Sequence, residues 1–255
     1  MRIHTAITTH KRPEWCLRLL KQIKEQSYGL NVSVAVFHDL CEFDYSKVEK
    51  FCKKNGYVYL KSKEPFGKWQ FYTFLNFTYL YADTIDFDYY ISIPDDVILV
   101  PDFFNRAVAC LCKNNPVVNF FTANIHATAR KTDTTIKLKD GSLAWKNNWI
   151  DGCFVSTKKA MHRLFINEPA YTKIRRNDRG TGIAVELGKE FMKRDIIVAQ
   201  RVYALVEHIG HIETVMHDAE RRKMLYGECR KENDPLQFNL IKEDVDYVRN
   251  LFLSW

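Results

Sequence analysis

Residues 91–97 form an apolar run that is interrupted by two adjacent carboxylates, Asp95 and Asp96. A buried strand presents acids in this way at its carboxyl end, where ligands bind in open α/β sheets. Hard divalent cations prefer such oxygen ligands and often take waters and phosphate oxygens as further ligands. A second apolar stretch, 206–210, places His208 more than a hundred residues later. Together the two segments predict a metal ion held between protein side chains and a substrate diphosphate.

The first hundred residues alternate between strand patterns and helix patterns. This βαβαβαβ order predicts an α/β fold with a mostly parallel central sheet and helices on both faces. Pro13 suits the first turn of the first helix. We expect strands at 3–8, 32–37 and 57–60 and one leading to Asp95, with helices at 13–26, 46–54 and 68–82.

The second half of the sequence is less regular. It contains a polar, basic, hairpin-like stretch and a loop dense in charge, and it lacks internal repeats and low-complexity linkers. We therefore expect one domain over 1–255, with a nucleotide-binding half at about 1–100, an irregular acceptor half at about 101–215 and a helical tail at 216–255. The expected elements are helices at 101–114 and 183–193, strands at 117–122 and 196–206, the basic stretch at 130–149 and the charged loop at 171–182.

The composition indicates an anionic partner and a reducing environment. The formal net charge is +7 and the pI is about 8.9, which favours a nucleotide, a nucleic acid or a membrane surface as partner. Seven cysteines without a C-x-x-C pair are typical of free thiols in the cytosol. The amino-terminal residues lack a signal-peptide core, and no apolar run approaches the roughly 20 residues of a membrane span. We expect a cytoplasmic protein without a membrane span.

The order of short motifs along the chain resembles that of the GT-A glycosyltransferases, which move a sugar from a nucleotide diphosphate sugar to an acceptor. The resemblance covers roughly residues 3–215, and the order of the motifs is its specific part. The matching segments are Thr8-Thr9-His10-Lys11-Arg12-Pro13, Phe66-Gly67-Lys68-Trp69, Ile93-Pro94-Asp95-Asp96-Val97, Trp149-Ile150-Asp151-Gly152-Cys153 and Glu207-His208-Ile209-Gly210.

This resemblance implies a divalent metal, Mn²⁺ or Mg²⁺, and a UDP-sugar donor. Asp96 and His208 would be the metal ligands. Because Pro94 replaces the first acid of the three-acid form of the motif, contact with the nucleotide ribose would fall to Asp95. The other expected donor-binding residues have alternatives: Arg12 and Lys68 are phosphate ligands or ordinary surface charges, and Thr8 and Asp39 are nucleotide contacts or turn and strand-end residues.

The general base is the point at which the sequence departs from the inverting members of the family. In those members an acid opens the helix that precedes the His ligand, whereas this chain has Thr181-Gly182-Ile183-Ala184 at that place. The candidate bases are Asp178, Glu186 and Asp151. A retaining mechanism, which needs no such base, is the alternative.

Only the overall character of the chain, and no specific motif, indicates the acceptor. Basic segments with nearby tryptophans suit a phosphate backbone and a flipped base, although a solvated loop face is the simpler interpretation of each. The chain loosely resembles the phage-encoded transferases that glycosylate hydroxymethylated bases in DNA, which would place it in the host cytoplasm. The alternatives are a transferase that builds bacterial surface polysaccharide and a nucleic-acid-binding protein without enzymatic activity.

Overall fold

A computed structural model describes residues 1–65, 71–120, 135–147, 150, 152–161, 191–193, 195–201 and 204–209. Parallel strands buried on both faces are apolar along most of their length, and the first strand of this chain has seven buried residues among its eight. The strands are β1 (Arg2–Thr9), β2 (Asn31–His38), β3 (Val58–Lys61), β4 (Tyr89–Pro94), β5 (Val97–Leu99), β6 (Val117–Asn119), β7 (Thr135–Lys137), β8 (Leu143–Asn147), β9 (Phe154–Thr157), β10 (Val198–Arg201) and β11 (Val206–His208).

The helices of the first half connect successive parallel strands, as the alternating pattern predicts. The first of them starts with its proline at the first turn and buries Trp15, Leu19 and Ile23 on one face. The second ends at Gly56, whose φ of 69° is the left-handed conformation that favours glycine at a helix end. The helices are α1 (Pro13–Gln26), α2 (Ser46–Asn55), α3 (Phe71–Asp83), α4 (Phe103–Ala109) and α5 (Lys158–Met161).

Nine of the strands form one sheet in the order β3-β2-β1-β4-β9-β6-β10-β8-β7. The expected parallel arrangement holds for β3, β2, β1 and β4, which are joined by parallel pairs. Beyond β4 the sheet is mixed: β9 runs antiparallel to both of its neighbours, and β6 and β10 are parallel to each other. The sheet is thus parallel in the nucleotide-binding half predicted from the sequence and mixed in the second half.

The structure corrects two expectations for the second half. The single strand expected at 196–206 is two strands in different sheets: β10 belongs to the large sheet, and β11 pairs with β5 in a separate two-stranded sheet. The helix expected at 101–114 is shorter and covers Phe103–Ala109. It begins after Asp102, whose backbone conformation is left-handed. Among the described residues, no helix is long and apolar enough to cross a membrane.

Candidate functional site

The site begins where β1 and β4, the two central parallel strands, end side by side. Thr8 lies opposite Pro94 in the register of this pair, and the Asp95 N–H donates to the Thr8 carbonyl at 3.0 Å. The carboxyl ends of parallel strands lie at the same edge of a sheet, so the two acids meet the loop that follows β1. The sequence predicted this edge as the ligand-binding edge.

Asp95 is held by the last residue of β1 and by an arginine of that loop. The Thr9 hydroxyl donates to Asp95 Oδ2 at 2.6 Å, and Arg12 Nη2 lies 2.8 Å from Asp95 Oδ1. The Asp95 side chain is only 1% exposed. Burial raises the pKa of Asp95 above its usual value, against the opposing effect of the Arg12 charge. Asp95 is therefore a fixed, inward-facing carboxylate.

Asp96 contacts His208. Within the β5–β11 pair, His208 lies opposite Val97, and the Ile209 N–H donates to the Asp96 carbonyl at 2.9 Å. This pairing brings His208 Nε2 to 3.1 Å from Asp96 Oδ2 across 112 positions of sequence. Burial alone would raise the pKa of Asp96, but His208 and Arg12 outweigh it and hold that pKa well below the usual range. Asp96 is an ionised carboxylate beside an imidazole.

Arg12 joins the two acids. Its Nη1 donates to Asp96 Oδ2 at 2.7 Å, while Nη2 pairs with Asp95. The residue immediately precedes α1, and its guanidinium carbon lies 5.4 Å from the centroid of the Trp15 ring. Although burial opposes ionisation, the two carboxylates raise the pKa of Arg12 above its already high value. The sequence predicted Arg12 as a phosphate ligand, and the structure also makes it the counterion of both acids.

Tyr45 completes this arrangement and was not predicted from the sequence. Its hydroxyl lies 2.8 Å from Thr9 Oγ1 and accepts a hydrogen bond from the Arg12 N–H at 3.1 Å. The Tyr45 ring also stacks on His38, with centroids 3.7 Å apart. Thr9, the residue after Thr8, could have been found from its place at the end of β1. Tyr45 lies in the irregular segment before α2, where no local pattern marks it.

Asp39, the predicted nucleotide contact, directly follows β2 and lies beside the same loop. Its N–H donates to the Thr9 carbonyl at 3.0 Å, and its Oδ2 lies 3.4 Å from His10 Nδ1. Its side chain is buried. Thr8, Asp39, Asp95 and Arg12 thus lie near one another at the carboxyl edge of the sheet, as binding of a sugar donor would require.

The side chains of this site fit a divalent ion whose coordination is completed by a substrate. Asp96 Oδ1 is buried and accepts no hydrogen bond from the described residues, and a buried carboxylate oxygen in this condition is unfavourable without a cation. In that part of the chain, no three His, Cys, Asp or Glu side chains are arranged to hold a metal by themselves. Asp96 and His208 would supply two ligands, and phosphate oxygens and waters the others.

Four of the predicted site residues lie outside the described residues. Lys68, expected to bind phosphate, falls in the gap 66–70. The three candidate bases, Asp151, Asp178 and Glu186, lie in other gaps. Gly152, which follows Asp151, is described, and its carbonyl accepts a hydrogen bond from Ser92 of β4 at 2.8 Å. The segment that contains Asp151 is therefore attached, through Gly152, to the strand that leads to the acids.

No protein-family model matches the sequence, and no curated protein sequence matches it. Solved structures do match the fold. One is the mannosyltransferase PcManGT from Pyrobaculum calidifontis in complex with GDP-Man and Mn²⁺, with a TM-score of 0.52 and 14% identity over 77% of this chain and 56% of that one. The fold is that of the GT-A glycosyltransferases.

Two further structures with the GT-A fold match a larger share of their own length. Glucosyl-3-phosphoglycerate synthase from Mycobacterium tuberculosis, in complex with Mn²⁺, UDP and glucosyl-3-phosphoglycerate, has a TM-score of 0.50 and 14% identity over 78% of this chain and 68% of that one. TarS from S. aureus, residues 1–349, has a TM-score of 0.52 and 10% identity over 90% of this chain and 70% of that one. At these identities the likeness establishes the GT-A fold alone, and this chain spans little more than half of PcManGT.

Proposed function

We propose that this chain is a metal-dependent glycosyltransferase that moves a sugar from a nucleotide diphosphate sugar, a UDP-sugar, to a hydroxyl acceptor. The observation that carries the proposal is the convergence of Asp95, Asp96 and His208 at the carboxyl edge of the sheet. The fold supports it, because similar structures were solved with Mn²⁺ and either UDP or GDP-Man. We further propose that residues 1–255 form one domain, with its nucleotide-binding half at about 1–100, its acceptor half at about 101–215 and a tail at 216–255.

Each residue of the site has a distinct role in this proposal. Asp96 and His208 bind Mn²⁺ or Mg²⁺, and such an ion stabilises the negative charge that develops on a departing diphosphate. Arg12 and Lys68 bind the phosphates. Asp95 contacts the ribose, and the remaining nucleotide contacts come from Thr8 and Asp39. Thr9 and Tyr45 position Asp95 and Arg12 through the hydrogen bonds described above.

The proton of the acceptor hydroxyl requires a base if the reaction inverts the anomeric carbon. A carboxylate within hydrogen-bond reach of that hydroxyl would perform this step. We propose Asp178 as the first candidate, followed by Glu186 and Asp151. If none of these three acids acts as the base, a retaining mechanism, which needs no such base, becomes the preferred alternative.

The donor part of this function is tested by thermal unfolding. UDP with Mn²⁺ should raise the melting temperature, and chelation with EDTA should abolish the increase, because the phosphates complete the coordination begun by Asp96 and His208. At a ligand concentration about 100 times Kd the stabilisation should be about 2.7 kcal/mol. Equal stabilisation by UDP in excess EDTA would contradict the metal site. No stabilisation under either condition would favour the alternative of a nucleic-acid-binding protein without enzymatic activity.

The acceptor we propose is DNA carrying hydroxymethylated bases or base-linked sugars, as in phage genomes. The net charge of +7 supports it, as do the basic residues of 130–149 and 171–182. A phage-encoded enzyme of this kind would act in the host cytoplasm. The rival within the same enzyme class is a transferase that builds bacterial surface polysaccharide.

Salt dependence separates these two acceptors. Each phosphate contact that releases a counterion makes binding to duplex DNA fall steeply with salt. With about four such contacts, affinity should fall by roughly 10²-fold between about 50 and 200 mM salt. Fluorescence anisotropy with a labelled hydroxymethylated duplex measures this, and a neutral glycan of similar mass is the control. Salt-independent acceptor binding would exclude the DNA proposal and favour the polysaccharide enzyme.

A further inference from the structure

The guanidinium of Arg12 pairs with both carboxylates of this site. Its two terminal nitrogens contact Asp95 and Asp96 separately, at 2.8 and 2.7 Å. Asp96 Oδ2 is shared between Arg12 and His208, which leaves the buried Oδ1 as the oxygen of that carboxylate without a hydrogen bond from the described residues. The Arg12 guanidinium and a metal ion held by Asp96 and His208 would therefore compete for the Asp96 carboxylate.

The surrounding residues favour this position of Arg12. Its backbone N–H is bound by the Tyr45 hydroxyl, its guanidinium lies against Trp15, and its side chain is 17% exposed. Pro13 begins α1 directly after it, which fixes the direction in which the chain leaves the site. Arg12 is thus a largely buried counterion and does not resemble a surface arginine that happens to reach an acid.

The charges predict how the site responds to a metal ion. Asp95 and Asp96 carry two negative charges when ionised, and Arg12 offsets one of them. A divalent ion that binds alone meets only one negative charge that Arg12 does not already neutralise. It must also lie beside the guanidinium, which repels it. A divalent ion that arrives with a diphosphate brings phosphate oxygens, and these are good partners for a guanidinium. Arg12 can then leave Asp96 without losing an anionic partner.

We propose that Arg12 is a specificity-determining residue that makes the site select the metal–nucleoside diphosphate complex over the free metal ion. In the donor-free protein its guanidinium pairs with both Asp95 and Asp96. When the complex binds, the guanidinium moves from Asp96 to the diphosphate, and the metal binds to Asp96 and His208. This inference rests on the proposed function, because it requires that the site binds a metal with a diphosphate.

The test measures Mn²⁺ binding directly, from the electron paramagnetic resonance signal of the free ion, with and without UDP. Wild type should bind Mn²⁺ weakly alone and at least about tenfold more tightly with UDP. Arg12→Met should bind Mn²⁺ alone at least about tenfold more tightly than wild type, and UDP should improve its Mn²⁺ affinity by a correspondingly smaller factor, because the two effects are linked. Arg106→Met, which removes the same charge from α4, should behave like wild type.

Two further variants protect the test against misfolding and against a simple effect of charge. Arg12→Gln repeats the measurement with a polar side chain, in case Arg12→Met does not fold. Arg12→Lys keeps the charge but can contact only one carboxylate well, so it should bind Mn²⁺ with an affinity between those of wild type and Arg12→Met. In EDTA the neutral variants should melt below wild type, and Mn²⁺ alone should raise their melting temperatures more than that of wild type.

The outcomes separate this inference from the proposed function. If wild type binds Mn²⁺ with UDP but the neutral Arg12 variants bind Mn²⁺ alone as weakly as wild type does, the inference is wrong and the proposed function stands. If wild type binds no Mn²⁺ even with UDP, the metal dependence in the proposed function is wrong and this inference is wrong with it. Tight binding of Mn²⁺ alone to wild type also overturns the inference.

Discussion

Asp96→Asn is expected to lower sugar transfer by at least about 10² to 10³, the size of effect seen when one group that stabilises developing negative charge is removed. The amide keeps the shape of the carboxylate but loses the charge that attracts both the metal and the imidazole of His208. Initial rates at saturating UDP-sugar and Mn²⁺ measure this, together with the Mn²⁺ affinity of the variant.

Asp102→Asn is the matched control for this substitution. Asp102 is exposed, and its φ of 56° lies in the left-handed region that asparagine also adopts. Its rate should stay within about twofold of wild type, and its fold should be unchanged. A wild-type rate in Asp96→Asn would remove Asp96 from the metal site, whereas an equal loss in both variants would indicate a general effect on stability.

If the reaction inverts the anomeric carbon, replacement of the general base by its isosteric amide is expected to reduce turnover by about 10² to 10⁴ while donor binding stays nearly unchanged. The three variants to compare are Asp178→Asn, Glu186→Gln and Asp151→Asn, measured side by side. The physical reason is that a base acts on the acceptor proton in the transition state and contributes little to the binding of the nucleotide. We expect the loss in one of the three, with Asp178 as the first candidate.

The product anomer, assigned by NMR, decides how these rates are interpreted. Inversion with a large loss in one variant identifies the base. Retention with all three variants within a fewfold of wild type makes the mechanism retaining and excludes the three acids as bases. Asp102→Asn again serves as the reference for a substitution outside the site.

The first half of the fold and the core of the site could be predicted from the sequence because both depend on local patterns. Alternating apolar segments and helical periodicity predicted β1, α1, β2 and α2 to within one residue at each end. An apolar run that stops at two acids predicted that Asp95 and Asp96 lie at the carboxyl edge of the sheet. The motif order predicted that His208 reaches them, and the structure brings it to Asp96.

The contacts that complete the site could not be predicted, because they depend on tertiary packing. Nothing in the sequence near Tyr45 indicates that its hydroxyl bonds both Thr9 and the backbone of Arg12. The run 196–206 is apolar enough to be predicted as one strand. Its division into two strands depends on tertiary pairing, because β10 pairs with β6 and β11 pairs with β5. The bridging position of Arg12 follows from the place where α1 begins relative to β4, which is a property of the assembled sheet.

The pairing of β5 with β11 joins two distant parts of the sequence in the candidate site. Asp96 and His208 are 112 positions apart, and the entropy of closing such a loop costs about 4 kcal/mol before any contact forms. Residues 1–100 contain both acids and Arg12, but they do not include His208. A chain in which only residues 1–100 are folded would therefore carry the proposed metal site without one of its two side-chain ligands. The proposed metal site would thus form only when β11 has paired with β5.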